Sequence, residues 1–387
     1  MDNIIYLDNY RTTKTSKYVM EKMKPYMDEN FYLPVSFTQM GTDIAEAIDE
    51  STDRIKNAFN ALDAEIIYTG SGTQANNMVI QGVMRDEKPE ETGMITSVID
   101  HPSINNVFDF YKKKGFQVRK IKVDEYGFWR TDQLKEAINE KTKLVSITWV
   151  NHTIGTIQRY EELKKIILEA NPKTLIHLDI TMAVMTQKID FKELDADFLT
   201  LSGHKIYGPK GIGLIVAKKP VKMKPVLFGT VVTSPYSPGA DNVPAIVGLS
   251  YAVEGAVSKR EAHNTRMKEL QKYLMQQTEE KIDKVELNGP VDERASDNIN
   301  YSFRHIEGES IMMFLDFDSI VVATGSACAS SDLKVNYVLS AIGRDHEMAH
   351  GSLRITPGRD TTKEDLDVFI EALIPILERL RAQSTIK

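Results

Sequence analysis

Cysteine is almost absent from this sequence of 387 residues, which contains only Cys328. A single cysteine excludes an intrachain disulfide and favours a reducing compartment, so we expect the protein to be cytoplasmic. The sequence also lacks an apolar run long enough to span a membrane, and its start has no basic segment followed by an apolar one. We therefore predict neither a membrane segment nor a secretory signal.

Excess positive charge is absent as well. The net charge is −7 and the isoelectric point is near 5.7, which argues against a general nucleic-acid binder because such proteins are normally basic. Internal repeats and Gly/Ser-rich linkers are also missing. What remains is an ordinary globular composition, 42% hydrophobic and 27% charged, in a chain long enough for two domains.

Short apolar runs alternate with helical patterns through the middle of the chain. We predict helices such as 160–170 between strands at 65–70, 93–100, 143–150, 174–180, 196–202 and 211–219. Most of these runs are continuously apolar, which suits strands that are covered on both faces. The alternation predicts an α/β domain built on a mainly parallel sheet.

The pattern changes near Ala256. A long charged helix is predicted at 259–282, strands at 298–306 and 319–325, and a last amphipathic helix at 363–383. These elements are typical of a smaller α+β domain. We predict a large domain over residues 16–255 and a small domain formed by residues 1–15 and 256–387.

Polar residues follow the predicted strands at their carboxyl ends, where open parallel sheets bind ligands. The turn TGSGTQANN at 69–77 would offer backbone N–H groups and a hydroxyl to a phosphate at the start of a helix. The other strand ends carry His101, Asn151, Asp179, Ser202, His204 and Lys205. Taken singly, each has an ordinary explanation as a helix cap, a turn former or a satisfied polar group.

Together these residues match the needs of pyridoxal phosphate. Lys205, between small residues at the end of a buried strand, would form the Schiff base with the cofactor aldehyde. Asp179 would pair with the pyridinium nitrogen, which makes the ring an electron sink. A confined pocket would keep the lysine amine available for attack on the aldehyde. No metal site is predicted.

The order of the motifs resembles that of one known family. The strings SGTQANN, DHPS, VNHTIG, LDIT, SGHKIYGPKGIG, ATGSACAS and HGSLRITPGR are similar to those of the cysteine desulfurase branch of the class V aminotransferases. These enzymes are fold-type-I pyridoxal phosphate transferases, which implies a large α/β domain with a mainly parallel sheet and a smaller α+β domain. The likeness runs from YLDNY near the start to the last helix.

The resemblance implies a role for each residue at a matching position. Lys205 would bear the cofactor, Asp179 would pair with the ring nitrogen, and the catalytic His101 would stack on the ring. Asn151 and Arg354 would bind the substrate carboxylate, a task that suits the planar fork of arginine. The phosphate would be held by Gly72, Thr73, Ser202 and His204.

Cys328 would carry the sulfur. A lone cysteine is often a small buried residue, but its surroundings, TGSACASSD, are typical of a polar loop. In the family a cysteine on such a loop attacks the substrate sulfur, which leaves L-alanine and an enzyme persulfide. The resemblance implies L-cysteine as the substrate, a homodimer, and a protein sulfur acceptor. The sequence does not name that acceptor, for which an iron–sulfur scaffold and a tRNA-thiolation protein are two candidates.

Several residues near the expected cofactor depart from the family pattern. Met182 stands where the family usually has a glutamine, and methionine cannot donate a hydrogen bond to the phenolic oxygen of the cofactor. His152-Thr153 replaces the usual Asn-Glu pair. The remaining departures are Arg11, Leu33, Ser237 and Ala240, the last in place of a threonine that reaches the partner subunit's phosphate.

Two interpretations therefore stay open. The protein is either a working desulfurase with an altered site or a divergent paralogue. A paralogue would act on another amino acid as an aminotransferase or lyase, or serve as a weakly active sulfur-relay or assembly partner. The joint presence of Lys205, Asp179, Cys328 and Arg354 favours the desulfurase, because a scaffold has no physical need for a buried lysine facing an aspartate.

Overall fold

A computed structural model describes residues 4–34, 37–324 and 335–383. Its strands are β1 Ile5–Tyr6, β2 Glu65–Thr69, β3 Gly93–Ser97, β4 Gln117–Ile121, β5 Thr142–Thr148, β6 Leu175–Asp179, β7 Phe198–Ser202, β8 Gly213–Ala217, β9 Val285–Leu287, β10 Ile299–Phe303, β11 Ile320–Val321, β12 Ala323–Thr324 and β13 Ser352–Ile355. Its helices are α1 Lys17–Met23, α2 Gln39–Ala58, α3 Gly72–Met84, α4 Pro102–Lys113, α5 Thr131–Ala137, α6 Tyr160–Ala170, α7 Phe191–Leu194, α8 Val243–Ser258, α9 Arg260–Lys281, α10 Gly308–Phe317, α11 Tyr337–Ala341, α12 His346–His350 and α13 Lys363–Gln383. Within these residues, no helix has the length and apolar character that a membrane crossing requires.

The large sheet is mainly parallel, as the sequence predicts. Over the described residues it has seven strands in the order β2-β8-β7-β6-β5-β3-β4. Neighbours from β7 to β4 pair in parallel, whereas β8 is antiparallel to both β2 and β7. The fold is thus the mixed α/β class expected from the alternation of strands and helices. Strand β4 was not predicted, because QVRKI lies at an edge of the sheet and contains two adjacent charged residues instead of a continuous apolar run.

Both faces of the large sheet are covered by helices, which explains why its strands are continuously apolar. On one face, α3 and α4 bury a cluster that includes Ile67, Met94 and Phe198. On the other face, α2, α6 and α8 pack with Ile66, Leu199 and their neighbours. Alternate residues of each strand therefore point to different cores, and the polar loops are confined to the strand ends.

The second half of the chain forms a smaller antiparallel sheet in the order β12-β13-β10-β9. Its core is built with α9, α10 and α13, and includes Met267, Phe303, Leu353 and Phe369. The run predicted as one strand at 319–325 is divided into β11 and β12. It changes partners at Val322, since β11 pairs with β1 and β12 pairs with β13.

The predicted division of the chain near residue 255 stays a prediction, which we retain as a proposal. In its support, α8 packs into the core of the large sheet, and α9 starts two residues after α8 ends and contributes to the core of the small one. Some residues beyond the division nevertheless pack with the large core, among them Ala295, Val338, Leu339, Ile342 and Ala349.

The N-terminal segment, residues 4–16, connects the two sheets. Ile5 and Tyr6 pair with β11, and Asp8 forms a bridge to Thr356 just after β13. The following residues contact the turn after β7, where Thr13 N donates to the carbonyl oxygen of His204 and Ser16 N to that of Tyr207. The segment thus runs from β11 and β13 to the turn that contains Lys205.

Candidate active site

The carboxyl ends of β2, β3, β5, β6 and β7 meet at one edge of the large sheet, because these strands run in the same direction. Side-chain contacts join the ends to one another. Asn76 of α3 donates to Ser103 Oγ at 2.8 Å and to Asp179 Oδ2 at 2.8 Å. The structure therefore brings the polar residues of separate strand ends into one site.

The start of α3 lies directly against the end of β7. A Cβ on Gly72 would lie 2.9 Å from the Cβ of Ser202, and a Cβ on Gly213 would lie 2.5 Å from the carbonyl carbon of Ser71. Glycine at both positions permits this close approach. Ser71 caps α3 by accepting from Gln74 N. The positive end of a 13-residue helix is thus held beside the Ser202 hydroxyl, which favours an anion there.

Thr73 directly follows Gly72 in α3, and His204 is two residues after Ser202. Thr73 lines a cleft of about 540 Å³ together with His101 and Ser103. His204 Nδ1 lies 3.1 Å from Thr12 Oγ1. Burial, followed by the nearby charges of two lysines, lowers the pKa of His204 to about 4. His204 is therefore neutral at neutral pH, with one ring N–H to donate.

His101 is held in one tautomer at the start of α4. Its Nδ1 accepts from Ser103 N at 3.1 Å and lies 2.7 Å from Ser103 Oγ, so the proton of the neutral ring is on Nε2. Burial and the charge of Lys205 lower the pKa of His101, and Asp179 opposes them. The ring is thus neutral, fixed by α4, and able to stack on a flat ligand.

Asp179 ends β6 with both carboxylate oxygens hydrogen-bonded. Oδ1 accepts from Thr181 N at 2.9 Å and Oδ2 accepts from Asn76. The Asn76 amide is itself oriented, because its Oδ1 accepts from Thr200 Oγ1 at 2.5 Å. Two donors thus fix the orientation of the Asp179 carboxylate at the end of β6.

A buried chain of hydrogen bonds leads to Asn76 from the interior. Thr200 donates its only proton to Asn76, so its 2.9 Å contact with His177 Nε2 is donated by the imidazole. The Nδ1 atom of His177 then accepts from Ser146 Oγ at 3.0 Å. Burial lowers the pKa of His177 to about 4, which keeps it neutral. Each hydrogen bond in this series is donated in the direction of Asp179.

Lys205 follows β7 in a short 3-10 turn and is largely enclosed. Its Nζ donates to the carbonyl oxygens of Tyr10 and of Arg11, the latter at 2.7 Å. Burial, followed by the charge of Arg354, lowers the pKa of Lys205 from the usual 10.5 to about 7. A lysine in this environment has a large fraction of neutral, nucleophilic amine at neutral pH.

Arg354 reaches the site from β13 of the small sheet. Its Nη1 donates to the carbonyl oxygen of His152 at 2.9 Å, and its Nη2 to Asp8 Oδ1 at 2.8 Å. Its Nε is buried without a hydrogen-bond partner among the residues described. Arg354 is therefore not a surface ion pair, since its side chain is 15% exposed.

Asn151 is used mainly to shape its own turn. Its Oδ1 accepts from the backbone N–H groups of Thr153 and Ile154, and its Nδ2 donates to the carbonyl oxygen of Ile99. One amide hydrogen is left for a ligand. The turn-forming explanation therefore accounts for most of its hydrogen bonds, and its predicted contact with a substrate carboxylate would use the remaining one.

The imidazole ring of His152 lies beside that of His101. Their rings meet edge to face, with centroids 5.0 Å apart. Tyr337 donates its proton to the carbonyl oxygen of Asp100 at 3.0 Å, so the 3.1 Å contact between Tyr337 and His152 is donated by Nε2 of the histidine. Burial and the charges of His101, Arg354 and Lys205 lower the pKa of His152 well below its usual value.

Cys328 lies outside the described residues. The described chain before it ends with β12, in which Ala323 pairs with Arg354. Two other departures from the family pattern, Leu33 and Ala240, lie on exposed parts of the chain, and Met182 is partly buried against the large core. Nothing in the described contacts relates these three residues to a cofactor.

Sequence reasoning missed Asn76, Asp8, His177 and Thr200. A signal existed for His177, because it lies two residues before Asp179 and therefore on the same face of β6. Asp8 carried no comparable signal, since its partner Arg354 is 346 residues away in the sequence.

Comparisons with known proteins identify the family of the chain. Residues 5–369 match the family described as Aminotransferase class-V. The "Cysteine desulfurase IscS" of Dictyoglomus turgidum is 39% identical over 387 residues, which cover 100% of this chain and 98% of that protein. A solved structure described as a NifS-like protein has a TM-score of 0.91 and 27% identity, and covers 97% of this chain and 100% of its own. SspA in complex with cysteine has a TM-score of 0.77 and 27% identity, over 91% of this chain and 98% of its own.

Proposed function

The chain belongs to the class-V aminotransferase family and is one of its cysteine desulfurases, and from that premise we propose how its own residues remove sulfur from L-cysteine. The observation that carries the proposal is Lys205. It is an enclosed lysine with a pKa of about 7, and it lies at the same sheet edge as the doubly hydrogen-bonded carboxylate of Asp179. This pairing of residue types is what a pyridoxal phosphate site requires.

The residues of the site fit pyridoxal phosphate. The start of α3 at Gly72, with Thr73, Ser202 and His204, would hold its phosphate, because glycine leaves room for the helix end to meet the Ser202 side chain. When bound, the cofactor supplies an aldehyde and an electron-accepting ring. Asp179 would pair with the ring nitrogen, and the neutral ring of His101 would stack on the cofactor.

Arg354 and Asn151 would bind the carboxylate of the substrate. Arg354 has a buried N–H without an acceptor, and Asn151 has one amide hydrogen left over. His101 would hold or move a proton at its outward Nε2, since its Nδ1 is already occupied by Ser103. Bound cysteine is supported as the substrate by the likeness to SspA, which was solved in complex with cysteine.

Cys328 would receive the sulfur. Its thiolate attacks the sulfur of the substrate, a sulfur–sulfur bond forms, and the Cβ–S bond breaks with its electron pair left on the carbon side. A proton then completes the methyl group of L-alanine. The carbon is reduced and the transferred sulfur is oxidised to the persulfide level, so no outside oxidant or reductant is needed.

We also propose a homodimer in the cytoplasm that passes its persulfide sulfur to a protein acceptor, an iron–sulfur scaffold or a tRNA-thiolation protein. The segment near residues 227–231 supports an association between subunits, because Phe228 is 78% exposed and Val231 55% exposed. The IscS name of the relatives supports sulfur transfer to a partner.

The test compares two variants of the machinery with wild type. Wild-type protein supplied with pyridoxal phosphate should show a visible absorbance band that borohydride removes, and Lys205→Ala should not form this covalent link. Lys210→Ala, which changes an exposed lysine of the same turn, is the matched control and should behave as wild type.

Cys328→Ser separates desulfuration from other chemistry. It should keep the absorbance band and lose the release of L-alanine from L-cysteine. Turnover of L-cysteine by Cys328→Ser to a keto acid instead of L-alanine would favour an aminotransferase or lyase. If wild-type protein did not form the covalent link, the assignment of this site to pyridoxal phosphate would be wrong.

A further inference from the structure

Arg11 lies at the substrate site, and the proposed function gives it no part. Its carbonyl oxygen accepts from Lys205 Nζ at 2.7 Å, and its Nε donates to Asp8 Oδ2 at 2.9 Å. The Asp8 side chain is 3% exposed, whereas that of Arg11 is 65% exposed. The carboxylate is therefore fixed in the interior, while the guanidinium reaches it from the open side and has room to change its contacts.

Asp8 is shared between two arginines. Arg354 donates from Nη2 to Oδ1 of Asp8 at 2.8 Å, while Arg11 occupies Oδ2. The Nε–H and Nη2–H groups of an arginine lie on one edge of its guanidinium, and that edge can bind a carboxylate with two parallel hydrogen bonds. In Arg354, Nη2 of this edge donates to Asp8. Nε, the other donor of the edge, is buried and has no hydrogen-bond partner among the described residues.

A substrate carboxylate therefore competes with Asp8 for the same edge of Arg354. If Asp8 had no other partner, its release would leave a buried, unpaired carboxylate, which is strongly unfavourable. Arg11 removes this obstacle because it already contacts Asp8 and can donate hydrogen bonds to both carboxylate oxygens. The contact of Arg354 Nη1 with the carbonyl oxygen of His152 does not involve this edge, so it continues to fix the plane of the guanidinium.

We propose that Arg11 is a specificity-determining residue, which takes over Asp8 when Arg354 binds the α-carboxylate of the substrate. This inference rests on the proposed assignment of the substrate carboxylate to Arg354. The exchange moves hydrogen bonds only. Asp8 leaves Nη2 of Arg354 and pairs fully with Arg11, and the substrate carboxylate occupies Nε and Nη2. Arg11 thereby favours amino acids over amines that lack a carboxylate.

The experiment uses two probes that differ by this carboxylate, L-alanine and ethylamine, on protein loaded with pyridoxal phosphate. The apparent dissociation constant of each probe is read from the change in the visible absorbance of the cofactor. Arg11→Ala should weaken L-alanine binding roughly tenfold, as expected for the loss of a charge-assisted contact, and leave ethylamine binding unchanged. Lys14→Ala removes an exposed cation of the same segment and should change neither constant.

A second substitution distinguishes partner exchange from a general loss of positive charge. In the Arg11→Ala protein, Asp8→Asn replaces the carboxylate by a neutral amide that can release Arg354 without leaving a buried charge. Binding of L-alanine should return to within about threefold of wild type. Cofactor content and melting temperature, measured for each variant, check that the proteins are folded and loaded.

Three results would overturn the proposal: equal weakening of both probes by Arg11→Ala, no weakening of either, or no recovery on Asp8→Asn. Failure of the proposed function gives a different result. In that case wild-type protein with bound cofactor would already fail to distinguish L-alanine from ethylamine.

Discussion

At the scale of single residues, Asn76 connects side chains of three other elements of the site. Its amide nitrogen donates to Asp179 and to Ser103, and its oxygen accepts from Thr200. Ser103 in turn contacts His101, so one side chain orients both the carboxylate and the histidine that we assign to the cofactor ring. A buried polar network is stable only when each member has its hydrogen-bond partners. Removal of one hydroxyl therefore affects the whole network.

Thr200→Val removes that hydroxyl with little change of shape. It leaves the Nε2–H of the buried His177 without an acceptor and the Asn76 oxygen without a donor, which should lower the free energy of unfolding by about 1–3 kcal/mol. Cofactor dissociation should become faster, because Asp179 loses the support of an oriented amide. Denaturant titration and the decay of cofactor absorbance measure the two effects.

The double variant His177→Phe/Thr200→Val serves as the control. Removing both polar partners should recover part of the lost stability, since no buried ring donor is left unpaired. A stability of Thr200→Val equal to that of wild type would contradict the hydrogen-bond directions assigned to this chain.

At the scale of elements, the site depends on how closely the α3 turn approaches β7 and β8. The end of β7, the start of β8 and the turn before α3 meet at Ser202, Gly213 and Ser71. The strand β8 runs antiparallel to its neighbours, so its first residue lies at the same edge as the carboxyl ends of the others. This geometry leaves no volume for a side chain on Gly213.

Gly213→Ala should therefore displace the start of α3. The added methyl carbon would lie 2.5 Å from the carbonyl carbon of Ser71 and 2.8 Å from Gly72 N, both backbone atoms that cannot rotate away. We expect a loss of about 1–3 kcal/mol in unfolding free energy and weaker retention of pyridoxal phosphate. Gly255→Ala is the matched control, because nothing lies within 4 Å of its added carbon in helix α8. Similar cofactor retention in both variants would mean that the turn does not hold the phosphate.

The sequence predicted elements with strong local patterns and missed those defined by distant partners. The strands ending at Asp179 and Ser202 were predictable because their apolar runs stop at polar residues. Strand β1 has two residues and pairs with β11, more than three hundred positions along the chain, so no local pattern marks it. The same reason explains why Lys205 was found as a candidate and Asp8 was not.

At the scale of the whole molecule, the environment of Lys205 is assembled from three parts of the chain. The lysine belongs to the large sheet, Arg354 to the small sheet, and Asp8 and Arg11 to the N-terminal segment. Burial and the two arginines lower the pKa of the lysine, while Asp8 opposes them. Its reactivity is therefore a property of the assembled domains.

This assembly predicts how the cofactor-free protein responds to pH. With its pKa lowered from 10.5 to about 7, Lys205 should capture pyridoxal phosphate with a rate that rises through neutral pH and then levels off. The unfolded chain binds more protons than the folded one between these two values, so stability should also rise with pH across that window. Stopped-flow absorbance measures how the capture rate depends on pH, and the reaction of acetyl-lysine with pyridoxal phosphate serves as the reference. A rate that follows the reference amine up to about pH 10 would contradict the prediction.

The path of residues 4–16 has a consequence for biosynthesis. The ribosome delivers this segment more than three hundred residues before its partners in β11 and at Thr356. A nascent chain can fold its large sheet as soon as that part has left the ribosome, since domains generally fold as units. At that stage Lys205 still lacks the nearby charge of Arg354. The carbonyl groups of Tyr10 and Arg11, which accept hydrogen bonds from Lys205, are not yet held by pairing of their segment with β11. Capture of the cofactor at neutral pH is thereby coupled to synthesis of β11 and β13, so a nascent chain that stops before these strands withdraws little of a reactive aldehyde from the cell.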